Sequence, residues 1–198
     1  KLLEDGTLDK FKAKLVAKGF TQIYGIDLIE SFSPTPSLTT TRFILIIGLH
    51  FGLRPYAADV RGAFLNAEIK EEIIIKFPDG ITVDNCEYAV LLKSLYGLHQ
   101  AGRDWNEMSD RIIKTFDSNI QQSMTEPCLY FIWTKELKFL MSVHVDDYTI
   151  MCDSTEYYNN LMTHFKKYVE IEEKGTPKII LQMGLTWSPN LDVVSFSQ

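Results

Sequence analysis

The sequence has little of what several common kinds of protein require. Its three cysteines, Cys86, Cys128 and Cys152, are far apart and form no CxxC pair. That pattern argues against a disulfide framework or a structural zinc site, and it favours a reducing, intracellular compartment. The most apolar stretch, residues 43–53, contains His50 and is too short to cross a bilayer, and no signal peptide is recognisable. We therefore expect a protein that does not insert into a membrane.

Two widespread enzyme motifs are missing as well. No GxSxG run is present, and the four histidines have no recognisable nucleophile partner, so a nucleophilic hydrolase has little support. The absence of a GxxxxGK[ST] run argues against an ATPase of the Walker type.

A basic excess, the usual footprint of nucleic-acid binding, is also absent. The chain carries 20 lysines and arginines against 26 acids, which gives a net charge of -6. Residues 10–18 hold four lysines and no acid. Charge by itself therefore does not predict a nucleic-acid partner.

The rest of the sequence is typical of a globular protein with both helices and strands. Of its 198 residues, 45% are hydrophobic and 23% are charged. Periodicity and turn residues predict helices at 39–53, 105–116 and from Thr155 onward. They predict strands at 11–17, 56–60, 68–77, 90–92, 128–133, 139–145, 148–152, 178–187 and 193–196. This order predicts an α+β fold in which an antiparallel sheet has helices packed on one face.

Three aspartates are the strongest candidates for chemistry. Asp146 and Asp147 lie between two strand-like apolar runs, where a hairpin tip would let both project into a shared opening. On this pair alone, a solvated turn is an equally good explanation. Asp59 ends another apolar strand, and alone it would be read as a turn or helix cap. Together the three carboxylates would suit hard divalent ions such as Mg²⁺, which prefer oxygen ligands.

Four motifs occur in order: KAKLVAKGFTQ at residues 12–22, DVxxAFLN at 59–66, SLYGLxQA at 94–101 with Trp105 following, and xVDD at 144–147. On these motifs the chain resembles the reverse transcriptase of copia-type LTR retrotransposons, from about residue 6 to residue 198. The resemblance implies an RNA-directed DNA polymerase with the right-hand fingers-and-palm architecture. Residues 1–198 would be a fragment, with fingers mainly at about 1–55 and 67–92 and the palm in the remainder. The thumb, connection and RNase H regions would be absent.

The resemblance also implies roles for matching positions. Asp59, Asp146 and Asp147 would be catalytic, and they would bind Mg²⁺, or alternatively Mn²⁺, together with the backbone carbonyl of Val60. The other positions would contact substrates. The nucleotide contacts would be Lys12, Lys14, Phe64, Tyr96 and Gly97, with Phe64 as the gate that crowds a ribose 2′-hydroxyl; the primer contacts would be His144, Met183 and Gly184.

The partners implied in the same way are an RNA or DNA template with its primer, dNTPs, and the remaining polyprotein domains: thumb and connection, RNase H and integrase. No membrane partner is expected. The location would be intracellular, in cytoplasmic virus-like particles or the nucleus.

Several positions depart from the family pattern, and they keep other functions open. His144 stands where the family usually has Tyr, Arg61-Gly62 where it has Lys-Thr, and Gly102 where it has Pro. These departures favour, as an alternative, a decayed relic that keeps the fold and binds nucleic acid without catalysis. Another palm-type nucleotidyl transferase, such as a cyclic-nucleotide synthase, is a third possibility. The SLYGL segment and Met183-Gly184 argue against it.

Overall fold

The structure is a computed structural model that describes residues 7, 11 and 13–197. In this part of the chain the helices are α1 (Leu38–His50), α2 (Ala63–Asn66), α3 (Ala101–Phe116) and α4 (Thr155–Phe165), with a 3-10 helix at Gly19–Thr21. The strands are β1 (Arg54–Val60), β2 (Ile74–Lys76), β3 (Tyr88–Val90), β4 (Gln121–Gln122), β5 (Leu129–Trp133), β6 (Lys138–His144), β7 (Asp147–Cys152), β8 (Ile171–Gly175), β9 (Ile179–Ile180), β10 (Met183–Trp187) and β11 (Val194–Ser197).

An antiparallel sheet of six strands lies at the centre of the fold, in the order β4-β5-β6-β7-β1-β8. Strands β6 and β7 are buried along nearly their whole length, because both faces of the sheet are covered. Strand β7 pairs with both β6 and β1, and it is antiparallel to each. The carboxyl end of β1 therefore lies beside the turn that joins β6 to β7.

One face of this sheet packs against α3 and α4. Phe139, Met141 and Val143 alternate along β6, so their side chains share this face. They belong to a buried cluster with Trp105 of α3 and Phe165 of α4. The apolar stripe of α3 provides much of the covering surface, as the helical spacing of its apolar residues predicts.

The opposite face packs against α1 and the three-stranded sheet β11-β10-β9. Leu140 of β6 and Met151 of β7 point to this side, where they cluster with Ile44, Leu45 and Met183. The prediction that the helices pack on one face therefore holds for α3 and α4 but is wrong for α1. The central strands are apolar on both faces, and a second apolar face has to be buried as well.

The helices predicted from the sequence are confirmed, with shifted ends. Helix α1 begins after Ser37, whose hydroxyl accepts a hydrogen bond from the backbone N–H of Thr40 (3.0 Å), and the chain turns away at Gly52 with φ 68. None of the helices within the described residues combines the length and the apolar character that a membrane span needs.

Several local predictions fail. The predicted strand 178–187 is divided into β9 and β10, which pair antiparallel with each other. The described residues of the predicted strand 11–17 have no regular secondary structure. The backbone N–H of Ala17 instead donates to the carbonyl of Tyr96 (2.7 Å). Only Ile74–Lys76 of the predicted arm 68–77 forms a strand, paired with β3. Strand β8 was not predicted at all, because four of its five residues are charged or glycine and none of these carries an apolar signal.

Candidate active site

Three aspartates lie together at one end of the central sheet. Asp59 is the penultimate residue of β1, and it is the direct register partner of Asp147, the first residue of β7. Asp146 precedes Asp147 in the turn, where its carbonyl accepts a hydrogen bond from the backbone N–H of Val60 (2.8 Å). The structure thus brings these aspartates together from two chain segments.

The three aspartates are neighbours in the fold, but their carboxylate groups do not form a ready-made metal site. Among the residues that the structure describes, no three His, Cys, Asp or Glu side chains are grouped closely enough to hold a metal ion. The chemistry of the donor set nevertheless suits a hard divalent cation, because carboxylate oxygens and a nearby backbone carbonyl are the ligands that such ions prefer.

The charges at this end of the sheet also favour the binding of a cation. Asp147 is exposed at the rim of the site, yet the surrounding protein removes enough water to raise the pKa of its carboxyl group. The negative charges of Asp146 and Asp59 raise this pKa further, whereas His144 and Lys174 lower it. The site concentrates negative charge that the neighbouring cations only partly offset.

A fourth carboxylate, which the sequence analysis missed, extends the row. Glu172 of β8 is the register partner of Asp59 on its other side. Because directly opposed residues of antiparallel strands share a face, Glu172 lies on the same face as Asp59 and Asp147. It is engaged by Lys174 (2.8 Å) and Arg61 (3.7 Å), at the exposed surface. Only the pairing of β1 with β8 reveals this neighbour, and no sequence signal does.

The turn that carries Asp146 has an unusual backbone. Val145 has φ 55, a left-handed conformation that is strained for a β-branched residue. The indole N–H of Trp105, on α3, donates a hydrogen bond to the carbonyl oxygen of Val145 (2.7 Å). Trp105 itself is buried. Its place in the apolar stripe of α3 follows from helical spacing, but its bond to the turn does not.

Three of the five predicted nucleotide contacts lie close to one another. Phe64 of α2 packs against Tyr96, with ring centroids 5.4 Å apart. The ammonium group of Lys14 lies over the Tyr96 ring, 3.8 Å from its centroid, as a cation–π contact. Lys12 lies outside the described residues.

Gly97, the remaining nucleotide candidate, is in tight contact with the chain itself. It has φ 91, and a Cβ atom there would lie 2.2 Å from the carbonyl oxygen of Ala17 and 2.6 Å from a methyl group of Val16. Glycine at this position therefore lets the segment around Ala17 approach Tyr96. Whether Gly97 also contacts a nucleotide stays a prediction.

The predicted primer contacts are split between a cleft and the core. His144 lines a cleft of about 420 Å³ with Asp147, Lys174 and other residues, between the central sheet and residues 174–181. Met183 is buried, and its sulfur accepts a hydrogen bond from the Arg42 guanidinium (3.4 Å). Its side chain thus anchors the small sheet on α1. A primer contact at Met183 and Gly184 stays a prediction.

A buried polar cluster holds the segments beside the site to α3. The Arg103 guanidinium donates to the Glu71 carboxylate (2.9 Å), to the carbonyl of Glu30 (2.7 Å) and to the Asp104 carboxylate (2.6 Å). Ser94 donates to the other oxygen of Asp104 (2.5 Å). One arginine therefore joins three separate segments, and the sequence carries no signal for this.

Comparison with known proteins matches the chain to one family and to several longer relatives. The family model described as reverse transcriptase (RNA-dependent DNA polymerase) matches residues 3–190. The chain is 35% identical over 190 residues to the Retrovirus-related Pol polyprotein from transposon TNT 1-94 of Nicotiana tabacum, which covers 93% of the chain and 14% of that protein. It is 29% identical over 175 residues to the corresponding polyprotein from transposon RE2 of Arabidopsis thaliana, covering 87% of the chain and 12% of the relative.

A shorter relative is the putative transposon Ty5-1 protein YCL074W of Saccharomyces cerevisiae. It is 29% identical over 137 residues, which are 68% of the chain and 44% of that protein. The chain therefore spans less than half the length of each of these relatives. No solved structure matches the chain significantly.

Proposed function

The chain belongs to the reverse transcriptase (RNA-dependent DNA polymerase) family, and from this premise we propose that it extends a primer with dNTPs on an RNA or DNA template. The relatives named as Pol polyproteins are far longer than the chain. We therefore propose that it works as part of such a polyprotein, beside thumb and connection, RNase H and integrase domains.

The observation that carries the proposal is the meeting of Asp59 with Asp146 and Asp147 at the end of the sheet. Three like charges near one another, one of them with a raised pKa, oppose folding unless a positive charge offsets them, and such clusters are typical of functional sites. Holding a cation is the purpose that this donor set fits best.

The proposed metal ligands are Asp59, Asp146, Asp147 and the carbonyl oxygen of Val60, with Mg²⁺ as the ion and Mn²⁺ as the alternative. Such ions, when bound, polarise an attacking hydroxyl and neutralise charge on the transferred phosphate. The strands β1 and β7 keep Asp59 and Asp147 in register, so that the protein positions both carboxylates before substrate arrives.

In the proposed reaction the primer 3′-oxygen forms a bond to the α-phosphorus of the dNTP. The bond from that phosphorus to the bridging oxygen breaks, pyrophosphate leaves, and the hydroxyl proton passes to water. Lys14, already near Tyr96, would place its charge on the triphosphate. Phe64, packed on Tyr96, would occupy the space that a ribose 2′-hydroxyl needs.

A catalytically inactive relic is the second candidate. The absence, among the described residues, of three ligand side chains close enough to hold an ion favours it. A relic would keep the fold and bind a template–primer duplex, but it would incorporate no nucleotide.

Templated incorporation distinguishes the two. With poly(rA)·oligo(dT) and Mg²⁺ or Mn²⁺, an active polymerase adds dTTP and rejects dGTP, because the template selects the base. Binding of the duplex without incorporation of either nucleotide, in the chain and in a longer parent polypeptide, supports the relic.

A further inference from the structure

The turn between β6 and β7 is held by two hydrogen bonds to its central carbonyl groups. The carbonyl of Val145 accepts from the indole N–H of Trp105 (2.7 Å), and the carbonyl of Asp146 accepts from the backbone N–H of Val60 (2.8 Å). The two donors belong to different elements: Trp105 lies on α3, and Val60 lies on β1, beside Asp59.

These two bonds fix the direction in which the Asp146 side chain leaves the backbone. The carbonyl of Val145 belongs to the peptide plane that precedes the Asp146 Cα atom, and the carbonyl of Asp146 belongs to the plane that follows it. When both planes are held, φ and ψ of Asp146 are held as well. The direction of its Cα–Cβ bond then cannot change without breaking one of the two bonds.

The Trp105 bond also helps to hold the turn in a strained conformation that would otherwise relax. Val145 has φ 55, a conformation that persists only where the surrounding structure holds it. Trp105 is only 1% exposed, so that its N–H has no access to bulk water as an alternative partner. The crevice beside the bond, lined by Pro34, Gly102 and Val145 among others, has a volume of only about 10 Å³, which leaves room for at most about one water molecule.

We propose that Trp105 is a positioning residue for Asp146: its indole N–H holds the Val145 peptide so that the Asp146 carboxylate faces Asp59. The proposal deepens the proposed function, since it assigns to an α3 residue the geometry of one proposed metal ligand. Trp105 acts through the turn and touches neither the metal nor the substrate.

Trp187 supplies a matched control. Its indole N–H also donates to a backbone carbonyl, that of Pro177 (2.6 Å), but in the small sheet on the other side of the molecule's central sheet. Trp105→Phe and Trp187→Phe therefore remove the same kind of bond at two places. Replacement of Trp105 by benzothienyl-alanine, which keeps the size of the ring system and lacks the N–H, separates the lost bond from lost packing.

The experiment has two readouts on the purified chain. The first is the order of the amide groups of Val145, Asp146 and Asp147, measured by NMR relaxation without metal. The second is the dissociation constant for Mn²⁺, measured by electron paramagnetic resonance, with Asp146→Asn as the reference for a lost ligand.

We expect both Trp105 replacements to increase motion in the turn and to weaken Mn²⁺ binding by about tenfold, the effect of losing one buried hydrogen bond. Trp187→Phe should leave the order of the Val145, Asp146 and Asp147 amide groups unchanged. An ordered turn and an Mn²⁺ affinity within about twofold of the unaltered chain, in the benzothienyl variant, would overturn the proposal.

Failure of the proposed function gives a different result. In that case the unaltered chain and Asp146→Asn bind Mn²⁺ equally, and the NMR readout alone decides the role of Trp105. Increased turn motion in the Trp105 variants, and not in Trp187→Phe, then still supports the positioning bond; unchanged motion still overturns it.

Discussion

Asp59 and Asp147 stand directly opposite each other in β1 and β7, with Glu172 next in the same row on β8. Lys174 and Arg61 pair with Glu172, whereas partial loss of water around Asp147 and the charges of Asp146 and Asp59 raise the pKa of Asp147. The negative charge is thus balanced at one end of the row and unbalanced at the other. The unbalanced end is where we place the metal ions.

This imbalance predicts that Asp147 destabilises the metal-free fold. Because the pKa of Asp147 is raised in the folded state, its ionised form opposes folding near pH 7, and this penalty disappears as the pH falls through the raised pKa. In EDTA at pH 7, Asp147→Asn should therefore raise Tm, and the gain should shrink toward pH 4. Thermal denaturation across this range is the measurement.

The control for Asp147→Asn is Asp79→Asn, an exposed aspartate in the turn after residue 77. That variant should show no such pH-dependent gain. A lower Tm for Asp147→Asn in EDTA, or a gain that does not change with pH, contradicts the assignment.

The buried cluster around Arg103 should contribute far more to stability than the exposed ion pairs do. Arg103→Met leaves the buried carboxylates of Asp104 and Glu71 without their partner, which typically costs about 3–5 kcal/mol. Arg61→Met breaks only exposed pairs with Glu170 and Glu172, and should cost less than about 1 kcal/mol. Urea denaturation of both variants measures the difference; equal losses would show that the cluster does not hold the segments together.

The sequence predicts local features of this fold better than long-range ones. The β6–β7 hairpin follows from two short apolar runs that flank a turn, and α3 follows from helical spacing, because each is encoded within a short window. The pairing of β1 with β8 depends on contacts between distant segments, and β8 is too polar to be recognised as a strand. Helix α1 was predicted as a helix, but its face of the sheet depends on how the whole molecule packs.

The candidate site shows the same division between local features, which the sequence predicts, and long-range contacts, which it does not. Asp59, Asp146 and Asp147 could be chosen from their motifs, whereas their meeting needed the register of β1 and β7. Trp105 could be assigned to the core, yet its bond to Val145 joins residues 40 positions apart. Neither periodicity nor turn chemistry carries information about such a bond.

Gly97 should be far less tolerant of a side chain than a glycine with similar backbone geometry elsewhere. Gly97→Ala places a Cβ atom 2.2 Å from the carbonyl oxygen of Ala17, whereas Gly80, with φ 83, has nothing within 4 Å of the same position. Both variants carry the strain of a positive φ, about 1 kcal/mol or more. Only Gly97→Ala should add a steric cost, seen as a larger loss in free energy of unfolding. Equal losses would mean that the segment around Ala17 moves away from the added methyl group at no cost in free energy.

Phe64 should decide which sugar the proposed polymerase accepts. Phe64→Val shortens the side chain that packs on Tyr96 and should increase kcat/KM for rUTP relative to dTTP by about tenfold or more, since removal of a steric block opens the space beside the 2′ position. Leu65→Val, on the same helix but 43% exposed, should leave this ratio unchanged. The assignment of Phe64 as the gate is wrong if Phe64→Val and Leu65→Val have the same ratio of kcat/KM for rUTP to kcat/KM for dTTP.

The measurement that tests the central claim most directly is primer extension by the unaltered chain and by Asp146→Asn on poly(rA)·oligo(dT) with dTTP and Mg²⁺ or Mn²⁺, with the same pair in a longer parent polypeptide. We expect the unaltered protein to extend the primer and Asp146→Asn to lose on the order of a hundredfold or more in rate, because it removes a charged metal ligand. Asp79→Asn should extend at the unaltered rate. Equal extension with Asp146→Asn, or no extension by the unaltered protein even in the parent polypeptide, would contradict an active polymerase centred on these three aspartates.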